Sequence, residues 1–169
     1  MVAPNWKGKN LDLVKEACRH GELKLQSQVQ IATSADQRAT VLAGIYVAAA
    51  TGVIGALAAV DVIRSSPALA AASAVAAIAF LAAAVLCITA TLPVNFWVPG
   101  NEPSEWYGDI EKGTPLEVAI GEQADHFDES IRANTKVIAT NAKRFFWGAL
   151  IGIGAPFLGL FVGGTICLF

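Results

Sequence analysis

Apolar positions in this chain are blocked rather than spread. Positions 39–60, 68–92 and 145–169 hold no Asp, Glu, Lys or Arg. Each block reaches or exceeds the roughly 20 residues that an α-helix needs to cross ~30 Å of hydrocarbon, and so predicts a transmembrane helix. Outside the blocks the pattern becomes amphipathic. Leu116, Ile120, Ala124, Phe127, Ile131, Asn134, Ile138, Asn141 and Phe145 recur at spacings of four and three, a period near 3.5 that makes a coiled-coil or bundle seam. Thr114 as N-cap, Pro115 as first residue and Glu117 as third mark its start. No breaker separates this seam from the third block, which predicts one helix over 115–168, roughly 80 Å long at 1.5 Å per residue. A second stripe, Leu11, Val14, Cys18, Leu25, Ala32, Ala35, Ala39, Leu42 and Tyr46, is interrupted by Gly21 and Gln28 and runs into the first block. Two long helices with stalks of about 28 to 30 residues should therefore pack side by side. The second span, joined to the first by the tight 61–67 turn, should return antiparallel to both.

With 54% hydrophobic residues in 169, the chain is too apolar for an ordinary soluble domain and too short to cover three wholly apolar helices with its own sequence. The expected class is an all-α membrane protein with three transmembrane helices, cytoplasmic helical extensions of the first and third, and a symmetric homo-oligomeric state. The expected segments are a cytoplasmic amphipathic helix at 1–38, a transmembrane hairpin at 39–92, a loop at 93–114, a second cytoplasmic amphipathic helix at 115–144 and a third span at 145–169. The first block is not preceded by a short basic leader and a small-residue cleavage signature, so it is expected to stay in the mature chain. Alanine is only weakly hydrophobic, so the Ala-rich second block is the least suited to face lipid and should touch protein on much of its surface. Lys7, Lys9, Lys15, Arg19, Lys24 and Arg38 precede the first block, and Lys112, Arg132, Lys136, Lys143 and Arg144 precede the third, whereas the 61–67 turn holds only Arg64. The positive-inside rule then puts the N-terminus in the cytoplasm and the C-terminus outside.

Small residues stand where helices can approach closely. Gly44, Ala48, Gly52 and Ala56 repeat every four residues on the first span, and Gly148 with Gly152, and Gly159 with Gly163, do so on the third. Pro156 removes a backbone donor within the third span and is a candidate hinge. Asn134 and Asn141 interrupt an otherwise apolar seam. Either each meets an identical Asn across a symmetry axis, fixing register and copy number, or the seam there is wet. Three helices offer no enclosed path alone, so a pore would need several copies. Its lining would be small and weakly polar, with Tyr46, Thr51, Ser73 and Thr89 as candidates. Its mouths would carry Asp61 and Arg64 outside and Lys143 and Arg144 inside.

Candidate chemistry is sparse. Cys18, Cys87 and Cys167 form no CxxC pair, His20 and His126 lie apart, and no GxSxG, HExxH or Walker loop occurs. No metal site, cofactor or enzymatic activity is expected. The spans lack ionisable side chains, which argues against a proton-coupled carrier. A passive pore, an anchor or a scaffold remains.

The run Ala35-Asp36-Gln37-Arg38-Ala39-Thr40-Val41-Leu42-Ala43-Gly44 at the start of the first span resembles the Ala-Asp-x-Lys/Arg-Ala…Leu-x-Gly signature of small bacterial anti-phage membrane effectors, notably the Pycsar transmembrane effectors. The layout is similar too: a cytoplasmic helix, a membrane hairpin, a proline-bearing loop with Pro93 and Pro99, then an amphipathic helix with Asn134, Asn141 and Lys143 leading into a final span. The resemblance covers most of the chain in layout but about ten residues in motif. It implies an inner-membrane effector that is silent until infection and then permeabilises or depolarises the membrane. The implied trigger is a nucleotide or oligonucleotide made by a partner nucleotidyltransferase or cyclase. The chain has no recognisable cyclic-nucleotide-binding domain, so the resemblance would leave sensing to stalk cations, with Lys15, Arg19, Lys24 and Lys136 as candidates and Arg38, Lys143 and Arg144 more simply explained by the positive-inside rule. Asp36 and Arg38 would set the first span at the membrane interface. The alternative function is a non-conducting scaffold or accessory subunit that recruits a partner through the stalk.

Overall fold

The structure is a computed structural model that describes residues 5–59 and 66–168; Asp61 and Arg64, expected at the outer mouth, lie outside the described residues. Helix α1 is Leu11–Ala59, α2 is Pro67–Thr89, a 3-10 turn covers Pro103–Trp106, α3 is Tyr107–Lys112 and α4 is Leu116–Leu168. No strand occurs among the described residues. The expected all-α architecture is present, with three helices long and apolar enough to cross a membrane.

Local chemistry sets the helix ends. Asn10 caps α1, its Oδ1 accepting from the backbone N–H of Asp12 at 2.9 Å and of Leu13 at 3.4 Å. Ser66 Oγ caps α2 by accepting from Leu69 N–H, and Pro67, which has no N–H to satisfy, takes the first position. Helix α3 stops at Gly113, whose φ of +63° favours a residue without Cβ. Thr114 N–H then donates back to the Asp109 carbonyl at 2.9 Å. The Pro115 carbonyl accepts from Ala119 N–H, so α4 begins within a residue of the expected position. It continues as one helix through Pro156 to Leu168.

The described chain divides into two units. The polar unit comprises Met1–Thr33 and Val94–Ile138, and the apolar unit Ser34–Pro93 and Ala139–Phe169. Helices α1 and α4 contribute to both.

In the polar unit the expected seams face each other. Val14 and Leu25 of α1 and Phe127 of α4 are buried. Both interruptions of the α1 stripe meet α4. A Cβ at Gly21 would lie 3.0 Å from Cβ of Phe127. The Gln28 amide donates to the Ile131 carbonyl at 3.1 Å and to Thr135 Oγ1 at 3.0 Å. These contacts advance in step along both helices, so α1 and α4 run parallel here.

In the apolar unit the core is Ala43, Tyr46, Ala83, Ala84 and Cys87, flanked by Leu42, Phe80, Phe145 and Ile151. Small side chains let the backbones close. A Cβ at Gly148 would stand 2.8 Å from Cys87 Sγ and 3.1 Å from the Ala83 carbonyl oxygen; at Gly159, 2.6 Å from the Ala72 carbonyl oxygen; at Gly163, 3.0 Å from Ala72 Cβ. As α4 advances its partners on α2 recede, so the two helices are antiparallel. Of the three spans, α2 has the largest buried share, as its alanine content predicts. Apolar side chains gain little by leaving lipid for protein, so this packing rests on van der Waals contact at short range.

Candidate functional site

The four small residues of the α1 ladder lead nowhere within the chain. Gly44, Ala48, Gly52 and Ala56 are all exposed, and a Cβ at Gly44 or Gly52 would meet nothing within 4 Å. The four glycines of the α4 ladders behave oppositely: Gly148, Gly159 and Gly163 press on α2, and Gly152 on the Tyr46 ring of α1. One set of ladders closes the bundle. The other faces outward.

The candidate pore-lining residues differ in their surroundings within one copy. Tyr46 is 5% exposed, its ring stacked 6.1 Å from that of Phe80 and its hydroxyl donating to the Ala149 carbonyl at 3.3 Å. Within one copy the ring is wedged over Gly152 and belongs to the bundle core. Thr51 is exposed and returns its hydroxyl to the Val47 carbonyl. Ser73 is half-buried. Thr89 Oγ1 donates to Leu86, while its own carbonyl accepts from Arg144 Nη1 at 3.0 Å. Arg144 therefore caps the C-terminal end of α2, where a cation suits the helix dipole.

Asn134 is placed in the polar unit. It is 0% exposed, but its amide meets the same chain: Nδ2 donates to the Trp97 carbonyl at 2.8 Å and Oδ1 accepts from Trp97 N–H at 2.9 Å. The side chain thus imitates a neighbouring strand and pins the 93–102 loop to α4. The Trp97 ring stands edge-on to His126, with centroids 5.5 Å apart, and Asn101 pairs amide to amide with Gln123. Asn141, its expected companion on the seam, is half-buried in the apolar unit.

Lys15, Lys24 and Lys136 are exposed. Arg19 is held by Glu16, and this hydrogen-bonded pair, aided by His20, pulls the Glu16 carboxyl down to about 2. Asp36 is half-buried and Arg38 exposed. Burial, reinforced by the charge of Glu22, raises the Cys18 thiol, so it stays protonated.

Two polar features were missed by pattern reading. Gln28, 4% exposed, keeps Oε1 buried without a hydrogen-bond partner among the described residues, an acceptor left unsatisfied at a cost to the α1–α4 contact. The N-terminal residues 5–10 are tied to α4: Trp6 Nε1 donates to Asp125 Oδ2 at 2.8 Å, and Gly8 N–H points to Glu117 Oε1 at 3.4 Å. A tryptophan amid polar residues, and a helical glycine at 121, were the available signals. Family models, curated proteins and solved structures contain no match to this chain.

Proposed function

We propose that this chain is a membrane effector of bacterial anti-phage defence that assembles into a homo-oligomeric pore in the inner membrane, N-terminus inside and C-terminus outside. A nucleotide-type signal from a partner nucleotidyltransferase or cyclase opens it. The observation that carries assembly is the α1 ladder. Small-residue repeats let transmembrane backbones touch, and the ladder glycines of α4, Gly148, Gly152, Gly159 and Gly163, are already used inside the chain while Gly44 and Gly52 meet nothing. A second copy fits that face. Within one copy the space between the spans is filled by Tyr46, Phe80, Ala83 and Cys87, so conduction belongs to the assembly. The defence role and its trigger are supported by the likeness of residues 35–44 and by the layout of the chain.

The scaffold reading has one observation in its favour. Tyr107 is 61% and Ile110 72% exposed on α3, apolar surface that a partner protein would cover. A membrane-potential dye separates the two readings. In cells carrying the chain with its native neighbouring genes, phage challenge is expected to collapse the potential before lysis, and deletion of this chain alone should abolish the collapse. An unchanged potential in the intact strain would leave the scaffold.

A further inference from the structure

The N-terminal segment is built as a hook. Residues 5–10 precede α1 and turn at Gly8, where φ is +72°. Lys9 N–H closes the turn on the Trp6 carbonyl at 3.1 Å. The turn carries the Trp6 ring onto α4 at Gly121, where even a methyl group would overlap the indole. Asp125, one helical turn further along, accepts the indole N–H at 2.8 Å. A glycine floor with a carboxylate at one edge is a slot for a flat ring that carries a hydrogen-bond donor. The rest of the hook is exposed at Asn5, Lys7, Gly8, Lys9 and Asn10.

Helix α1 does not depend on this attachment. Its first turn is capped by Asn10 alone, so residues 5–9 can leave α4 without unwinding the helix behind them. We propose that residues 5–9 are a releasable clasp, and that their seat on α4, Gly121 with Asp125, is a binding slot for a planar aromatic ring bearing an N–H donor, with Trp6 as its resident. The clasp ties the start of α1 to α4 in the polar unit, and its release uncovers the slot. This holds whether the protein conducts or recruits.

Two measurements on the full-length protein in detergent test it. In a variant whose Trp97, Trp106 and Trp147 are replaced by Phe, Trp6 fluorescence reports the seat. Gly121→Ala raises helix propensity yet fills the floor, so it should increase iodide quenching of Trp6 several-fold while hydrogen exchange within α1 stays at its starting level. Quenching unchanged by Gly121→Ala, or an α1 that frays with it, overturns the clasp. Conversely, Trp6→Ala should open the slot to N-acetyltryptophanamide, binding it saturably and about tenfold more tightly than the 1-methylindole analogue, which lacks the N–H. Adding Gly121→Ala should abolish that binding. Equal binding of the two probes, or none of either, overturns the slot.

Discussion

Replacing Gly159 by Leu is expected to disrupt the apolar unit, whereas the same change at Gly154 is expected to be tolerated. At Gly159 the first added carbon would already sit 2.6 Å from the Ala72 carbonyl oxygen. A backbone atom cannot rotate aside as a side chain can, so α2 must move away from α4. Gly163, one turn on, then loses its close approach to Ala72, and Ala76 loses its approach to Gly159. Overpacking in a close-packed interior costs about 1–3 kcal/mol, and lost contacts along the helix add to it, so the expected destabilisation is about 3 kcal/mol. At Gly154 nothing lies within 4 Å of the added carbon. Thermal unfolding of the two purified variants in the same detergent checks this. Equal midpoints would mean that α2 and α4 do not pack through Gly159.

The second large effect is expected at Asn134→Leu. Leu fills a comparable volume but strips the Trp97 N–H and carbonyl of their partners. Each unsatisfied polar group costs about 1–3 kcal/mol where it remains shielded from water, and the loop escapes that cost by leaving α4. Residues 94–101 should therefore gain hydrogen exchange at least tenfold, while α4 stays helical. Asn134→Asp should have a weaker version of the same effect, because one oxygen still accepts from Trp97 N–H but the donor to its carbonyl is gone. Were Asn134 instead paired with another copy, Asn134→Leu would change the size of the assembly and leave the loop's exchange as it was.

These two positions show what the amino-acid pattern conveys and what it does not. The apolar blocks and the 3.5-residue seam give the three spans, the unbroken lengths of α1 and α4 and the inward faces, because periodicity reports which side of a helix avoids water. Asn134 is inward as the seam requires. Its partner is not legible, since the path of the 93–102 loop over α4 is a tertiary event with no periodic trace. Glycine ladders carry the same ambiguity. Spacing identifies surfaces fit for close approach, but Gly148 and Gly159 meet α2 of their own chain while Gly44 and Gly52 face outward, and nothing local to either repeat distinguishes the two. The weak polarity of Tyr46 suits a lining, but its place in the core of one copy depends on the vacant side of Gly152, which no local pattern announces. Trp6 lies outside any repeat, and only the fold brings it to Gly121.

Assembly through the outward ladder is the central claim, and cysteine cross-linking in native membranes tests it most directly. Gly52→Cys and Ile54→Cys both place a thiol on an exposed part of α1, but residue 54 is turned about 200° from residue 52 on a helix of 3.6 residues per turn. The unsubstituted chain, with Cys18, Cys87 and Cys167, supplies the background. Oxidation is expected to link copies bearing Gly52→Cys well above that background and to leave Ile54→Cys at it. Equal cross-linking at both positions, or at neither, would contradict assembly through the α1 ladder.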